Sequence, residues 1–281
     1  MKRWLAIGLV CGSVAAAAET YYLADDVELD AAAPVSIALA NADGAEFSVA
    51  RTGAGTEDDP WVFDFSGLDP AVTKFDMRAH TLYCARDGSA AQKHLVFNLA
   101  GAAIAGTGAT SFRTWRGEEH ANADHLTLVH VGDIAVGGID TRVTRPGHYS
   151  STGRRAGNIA IGTADKPAGR VQVSYLHAHH DSADGNHDTH GGHVAIHGTG
   201  DVSIVDGAGQ AGDIQTQSGR TGRSGDVTVK HAGAFRVNTV NTRTPRLHSG
   251  HIRLDGGDAS GHVVVEGDLI TRESGRGART T

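Results

Sequence analysis

The sequence predicts an all-β protein: a right-handed parallel β-helix, or β-solenoid, of about six three-strand coils with an N-terminal cap. A unit of three short strands separated by glycines recurs six times between Leu95 and Leu269. At equivalent strand positions of the copies, apolar residues alternate with freely varying ones, as expected where one face of each strand is buried. Loops absorb the differences in repeat length. Such repeats are typical of stacked solenoids rather than of compact enzyme domains.

The first two strands of each unit carry pairs of apolar columns two residues apart, which we expect to point into the core. In the first strand they are Leu95, Leu126, Ile159, Val194, Val227 and Ile252, then Phe97, Leu128, Ile161, Ile196, Val229 and Leu254. In the second strand they are Ile134, Val171, Val202, Phe235 and Val263, then Val136, Val173, Ile204, Val237 and Val265.

The third strand combines an apolar column with a column of small residues, most of them threonine. The two columns are Phe112, Ile139, Leu176, Ile214, Val240 and Leu269, then Thr114, Thr141, Ala178, Thr216, Thr242 and Thr271. Because stacked strands are ~4.8 Å apart, we expect the inward threonine hydroxyls to hydrogen-bond along the stack.

The chain begins with the layout of a cleaved signal peptide, which we assign to residues 1–18. Two cations precede an apolar run from Trp4 to Val10, and small residues continue to Ala18. We therefore predict a protein that is secreted, periplasmic or on the cell surface. The apolar run is too short to span a bilayer and no later stretch is long enough, so we predict no transmembrane span. After cleavage near Ala18, Cys84 is the only cysteine left, so no internal disulfide is expected.

Residues 19–92 depart from the repeat and hold most of the aromatic residues, with alternating strands at 61–65 and 73–77. We interpret them as an N-terminal capping segment, because a solenoid must cover its first coil or leave an edge that pairs with other chains. Residues 93–281 are the predicted solenoid domain. No equivalent cap follows the last coil, so we expect its C-terminal edge to stack on further coils or on another chain.

The coils resemble the repeats of filamentous-haemagglutinin-like and autotransporter passenger β-helices. The resemblance lies in starts such as Gly225-Asp226-Val227-Thr228-Val229 and in the glycine-rich loop from Ser218 to Gly225, and it covers about residues 93–281. It implies surface or extracellular display, often adhesion, with a host or cell surface as partner. No functional residue is carried over. The formal net charge of −7, more negative after signal removal, argues against nucleic acid as a partner.

The outer face of the third strand is the first candidate site, as a binding surface for an extracellular acidic polysaccharide. Arginine pairs with carboxylates in a fork geometry, and tryptophan stacks on sugar rings. The alternative is a hydrated sheet face without a ligand. The candidate ligand-binding residues are Trp115, Arg142, His179, Gln217, Arg243 and Arg272.

A histidine-rich loop is the second candidate, as a site for a divalent metal ion; no other cofactor is predicted. We expect the first two histidines to flank an inward Ala178 and to project outward together, with further ligands from the loop. The alternative is a solvated polar loop, since no fixed ligand spacing is present. The candidate ligands are His177, His179, Asp181, His187 and His190.

A third polar column stands immediately before the first strand of each unit. We favour a structural ladder over a catalytic role, because nothing in the sequence converges on it from elsewhere. Its members are His94, His125, Asn158, His193, Asp226 and His251.

The outer face of the third strand carries no cluster of outward aspartates on adjacent coils, whereas polysaccharide hydrolysis requires paired carboxylates. We therefore predict a structural or adhesive element without enzyme activity. The alternative is a polysaccharide-binding or polysaccharide-cleaving β-helix, a lyase or hydrolase, that uses the outer face of the third strand.

Overall fold

The computed structural model describes residues 19–32, 34–68, 72–85, 91–114, 122–144, 154–181, 189–219, 222–244, 248–256 and 262–271. Apart from one 3₁₀ turn at Phe65–Gly67, the regular structure of these residues consists of strands, which confirms the all-β class. Within the described ranges, no helix is long and apolar enough to cross a membrane. The predicted signal peptide, residues 1–18, lies outside them.

The strands are short, and most have two to five residues. The N-terminal strands are β1 (Glu19–Leu23), β2 (Val27–Glu28), β3 (Ser36–Asn41), β4 (Glu46–Thr52), β5 (Trp61–Asp64), β6 (Val72–Asp76) and β7 (Leu82–Tyr83). They are followed by β8 (His94–Asn98), β9 (Ala103–Ala105), β10 (Thr110–Arg113), β11 (His125–Val129), β12 (Ile134–Val136), β13 (Gly138–Asp140), β14 (Val143–Thr144), β15 (Arg154–Arg155), β16 (Ile159–Ile161), β17 (Val171–Val173), β18 (Leu176–His177), β19 (His180–Asp181) and β20 (Thr189–His190). The last are β21 (Val194–His197), β22 (Val202–Ile204), β23 (Ile214–Gln215), β24 (Val227–Lys230), β25 (Phe235–Val237), β26 (Val240–Asn241), β27 (Ile252–Asp255), β28 (Val263–Val265) and β29 (Leu269–Ile270).

The strands of successive repeats pair in three parallel ladders, each in the register that the sequence columns predict. The first ladder is β5, β8, β11, β16, β21, β24 and β27. The second is β6, β9, β12, β17, β22, β25 and β28. The third is β7, β10, β13, β18, β23, β26 and β29. The register matches Leu126 with Ile159 and Leu176 with Ile214, so equal positions of the repeats lie above one another.

Parallel pairing begins before residue 93, inside the segment predicted as a cap. Trp61 and Phe63 of β5 stand opposite Leu95 and Phe97 of β8, so β5–β7 repeat the later pattern. The sequence pattern did not show this repeat, because β5–β7 contain aromatic residues and are irregularly spaced. The antiparallel part of the N-terminal region is β3 and β4, which pair with β1 and β5.

The inward apolar columns are buried from the first repeat through Val240, which confirms the face assignment. The last repeat differs, because nothing described lies beyond it. Val263 and Leu269 are 47% and 51% exposed although they occupy inward positions. The end of the described stack is therefore an exposed apolar edge.

The inward threonines do not hydrogen-bond mainly along the stack, contrary to the expectation. Thr141 donates its Oγ1 hydrogen to the Gly157 carbonyl at 2.7 Å, and Thr216 donates to the Gly225 carbonyl at 2.7 Å. A backbone hydrogen bond runs in the opposite direction, because Gly157 N donates to the Thr141 carbonyl at 2.9 Å. These bonds join the end of the third strand to the start of the next first strand, because both backbones come close there and their polar groups need partners.

A side extension, formed by β14, β19, β15 and β20, lies beyond these threonine–glycine bonds. β14 pairs in parallel with β19, and β15 with β20. The extension has a mainly polar interior, in which Thr189 and Thr244 are buried. Their hydroxyls are used: Thr189 Oγ1 accepts from Gly219 N at 3.0 Å, and Thr244 Oγ1 donates to the Gly222 carbonyl at 3.2 Å.

Candidate ligand-binding groove

A four-residue turn recurs where the side extension returns to the first strand. In each copy two polar residues flank two small or short ones, so the polar side chains form two walls on either side of a shallow floor. We call this the corner groove. The pairs of wall residues are Asn122 with His125, Arg155 with Asn158, His190 with His193, Arg223 with Asp226, and His248 with His251.

The floor of the corner groove is fixed by close backbone approach. A Cβ atom added to Gly192 would collide with the carbonyl oxygen of Gly157, and one added to Gly225 would collide with that of Gly192. Backbone atoms cannot move aside as a flexible side chain can, so only glycine fits. The floor therefore stays low between the walls along the stack.

The wall next to the first strands is a hydrogen-bonded ladder. His125 Nδ1 accepts from Asn158 N at 2.9 Å, and Asn158 Oδ1 accepts from His193 N at 2.9 Å. His193 Nδ1 then accepts from Asp226 N at 2.9 Å, and Asp226 Oδ1 from His251 N at 2.8 Å. Each side chain thus satisfies a backbone donor of the next repeat. This column has the structural role favoured from the sequence.

The ladder also fixes the state of its histidines. A ring nitrogen that accepts a hydrogen bond carries no proton, so neutral His125 and His193 carry their proton on Nε2. Burial, together with the nearby His94, His193 and Arg155, lowers the pKa of His125 from 6.5 to about 4. The His94 and His125 rings lie 4.3 Å apart between centroids.

The opposite wall alternates cations with histidines. Arg155 lies beside His190 in the parallel pairing of β15 with β20. Arg155 N donates to Asn122 Oδ1 at 2.8 Å, and Arg223 N donates to His190 Nδ1 at 3.2 Å. Both arginine side chains are exposed, and they occupy every second position of this wall.

Both walls border a single open cavity of about 940 Å³. Its charged and titratable lining comes from successive repeats, with Glu57 from the loop before β5 at the N-terminal end. Asp226 Oδ2 lies 3.5 Å from His193 Nδ1. The histidines that line the groove are His94, His125, His190, His193, His248 and His251.

The third-strand outer face is less open than predicted. Trp115 and Arg272 lie outside the described residues. Arg142 is partly buried, and its Nε lies 3.0 Å from Oδ2 of Asp140, which is 2% exposed.

Two other predicted ligand-binding residues of this face are accessible. Gln217 is partly buried, and its Oε1 accepts from Asn241 Nδ2 at 2.8 Å. Arg243 is exposed. The described residues of this face thus present single accessible polar groups rather than a row of them.

His179 corrects the predicted outward position. Its side chain is only 4% exposed, its ring lies 5.0 Å from that of His177, and its Nδ1 is buried without a hydrogen-bond partner among the described atoms. Burial lowers its pKa to about 3, with further contributions from His177, Arg142 and His180. The packing that buries it is local, and strand alternation does not reveal it.

The predicted metal ligands are divided between two places. His177 and His179 lie together on the third-strand side, whereas His190 belongs to the corner groove. His187 and the side chain of Asp181 lie outside what the structure describes. The metal site at this loop therefore stays a prediction.

One buried group among the described side chains could hold a metal ion by distance alone. Ligand atoms of Asp30, Cys84 and Asp124 lie within 4.8 Å of one another. Both carboxylates already serve the backbone: Asp30 Oδ1 accepts from Ala85 N at 2.6 Å, and Asp124 Oδ1 accepts from Lys93 N at 2.8 Å.

Sequence reasoning found one wall of the corner groove and missed the other. The missing signal was available, because a polar residue stands three positions before five members of the ladder. Small residues between the two, such as Ser224-Gly225 and Ser249-Gly250, indicate that nothing covers the walls. Comparison of the chain with family models, with curated proteins and with solved structures gave no match.

Proposed function

We propose that this chain is a right-handed parallel β-helix in which β5–β7 add a coil before the six predicted ones, and that it is an exported structural and adhesive element. The observation that carries the proposal is the stack of three parallel ladders in constant register. The threonine–glycine bonds support closed coils, because they join the third strand to the next first strand. Among the described residues, the interior between the ladders is filled by buried apolar side chains.

The position of the polar groups supports the adhesive part of the proposal. A stack that keeps its register repeats each outward position every ~4.8 Å, so weak contacts can act together along one line. Extended targets such as glycans or cell surfaces suit this arrangement. The resemblance to filamentous-haemagglutinin-like and autotransporter passenger repeats implies the same setting.

Two measurements on producing cells test the proposal. The exported chain should begin at Glu19 when its N-terminus is sequenced, and protease added to intact cells should remove it from the surface. Cells that display the chain should adhere to host-cell or glycan-coated surfaces more strongly than cells that lack it. Retention of the uncleaved chain in the cytoplasm, or equal adhesion of both kinds of cell, would contradict the proposal.

Polysaccharide binding is the second candidate function. The corner groove favours it more than the third-strand face does, because the exposed Arg155 and Arg223 stand in a continuous groove whereas His179 is buried. Direct binding of glycans to the purified chain tests this candidate.

A further inference from the structure

The corner groove has the form of a site for a linear ligand. Its lining extends over the ladder positions from His94 to His251, which are six successive levels of the stack. At ~4.8 Å per level, the groove is ~24 Å long. It is also open, since the side chains of His193 and Asp226 are 57% and 44% exposed. An extended chain fits such a site better than a compact small molecule does.

The groove offers donors in fixed orientations. His125, His190 and His193 each accept a backbone hydrogen bond on Nδ1, so each holds its proton on Nε2, on the far side of the ring. Arg155 and Arg223 add guanidinium groups that stay charged at every physiological pH. The matching ligand is rich in acceptors and carries anionic groups that a guanidinium can bind in a bidentate manner.

The spacing of the cations narrows the choice of ligand. Arg155 and Arg223 occupy alternate levels with His190 between them, so their backbone positions are ~9.6 Å apart along the stack. This distance is close to the length of one disaccharide in an extended glycan chain. A polymer with an anionic group on every sugar would place one at the level between the two arginines, where the walls offer His190 and His193 instead of a guanidinium. Asp226 faces Arg223 on its own level, so its carboxylate weakens the binding of an anionic group there.

We propose that the corner groove binds a linear acidic polysaccharide that carries its anionic group on alternate sugars. Arg155 and Arg223 bind successive anionic groups, and the histidines donate to the sugar between them. The inference deepens the proposed adhesive function and rests on it for the biological setting only. The groove makes the polymer contact whether or not the chain is displayed on a surface.

The test uses the purified chain from residue 19 to 281 and glycans of equal length. Hyaluronan oligosaccharides carry a carboxylate on alternate sugars, polygalacturonate oligosaccharides carry one on every sugar, and cello-oligosaccharides carry none. Calorimetric titration should give the highest affinity for hyaluronan, a lower one for polygalacturonate and no binding of the neutral chain. Equal affinities for all three, or tighter binding of a single-stranded DNA oligonucleotide, would overturn the proposal.

Charge-matched variants locate the site. Arg155→Gln and Arg223→Gln should each weaken hyaluronan binding about tenfold, the effect of one charge-assisted contact. Both side chains are exposed and their backbone N–H groups remain, so the circular dichroism spectrum should not change. The control variants Arg170→Gln and Arg253→Gln, which remove exposed charges outside the groove, should bind as wild type does. A loss of binding in the control variants equal to that in the groove variants would refute the location.

The Asp226→Asn variant tests whether an anionic group is bound at the Arg223 level. Asparagine keeps the Oδ1 acceptor of the ladder and removes the negative charge, as Asn158 does one level below His193. The affinity of this variant for hyaluronan should rise, and an unchanged affinity would contradict the placement of an anionic group beside Arg223. If hyaluronan fails to bind while displayed cells still adhere, this inference fails and the proposed function stands. If hyaluronan binds to the groove but displayed cells do not adhere, this inference stands and the proposed adhesive function fails.

Discussion

The third-strand outer face and the corner groove are both columns of polar residues repeated along one stack, yet the groove leaves more of its residues open. On the face, Asp140 and His179 are almost fully buried, one against Arg142 and the other against His177. In the groove, Gly192 and its equivalents separate two walls that cannot cover each other. The difference indicates that a polar column on this stack stays accessible where small residues stand beside it.

Both surfaces depend on the same apolar interior. A substitution that disrupts this interior should therefore cause the largest loss of stability. Ile214→Asp should destabilise the fold by at least ~4 kcal/mol, because it buries an unpaired charge. Gln215→Asp, one residue away on the outer side, should change the free energy of unfolding by less than ~1 kcal/mol. Urea unfolding followed by circular dichroism measures both. Equal losses would mean that inside and outside are not separated here.

Acid should weaken the groove wall through His125. Its pKa is lowered from 6.5 to about 4 in the folded chain, so the unfolded chain takes up the proton first. The stability is complete above pH 6.5, falls by ~3 kcal/mol between pH 6.5 and pH 4, and loses nothing more from this residue below that.

Urea midpoints measured across this range test the effect of acid. His125→Asn should show a shallower fall, because asparagine accepts the same backbone hydrogen bond without titrating, as Asn158 does. An unchanged pH dependence in this variant would show that His125 does not carry the effect.

A smaller change, an increase in stability, is expected at His179 on the third-strand face. His179→Leu should raise stability by ~1 kcal/mol at pH 7, because a buried ring nitrogen without a partner is replaced by an apolar group of similar size. Thermal unfolding measures the change. Gln217→Leu, on a less buried position of the same column, should give no gain. Destabilisation by His179→Leu would show that its Nδ1 is satisfied in solution.

The smallest effect is expected on the third-strand face itself. Arg243→Ala together with Gln217→Ala should leave hyaluronan affinity within about twofold of wild type, less than one lost hydrogen bond would cause. Titration of the double variant provides the measurement. A tenfold loss would restore this face as a binding surface.

The alternation of apolar and polar residues in the strands predicted most of the fold. Inward positions such as Leu126 and Ile159 are buried, and a polar side chain there would lack a hydrogen-bond partner. The alternation could not predict the side extension, because its buried residues are of mixed kind. Val143 is apolar, whereas His180 and Thr244 are polar. The alternation also could not separate Thr141 bonding across to Gly157 from bonding along the stack, since both satisfy the same hydroxyl.

The candidate site was half visible in the sequence for a related reason. The ladder from His125 to His251 stands beside apolar columns that keep it in register. The wall from Arg155 to His248 follows loops of different length, so its members are aligned only by counting backwards from the first strands. Burial of His179 depended on neighbours that the alternation pattern does not describe.

The glycines of the groove floor divide the molecule into what can change and what cannot. Gly192 and Gly225 admit no side chain, and the ladder residues beside them, His193 and Asp226, each accept a hydrogen bond from the backbone of the next repeat. The exposed Arg155 and Arg223 side chains have neither constraint, so each can be exchanged by a single substitution with little cost to the stack. We therefore expect a few substitutions at these exposed positions to change the charge pattern of the groove while the stack stays intact.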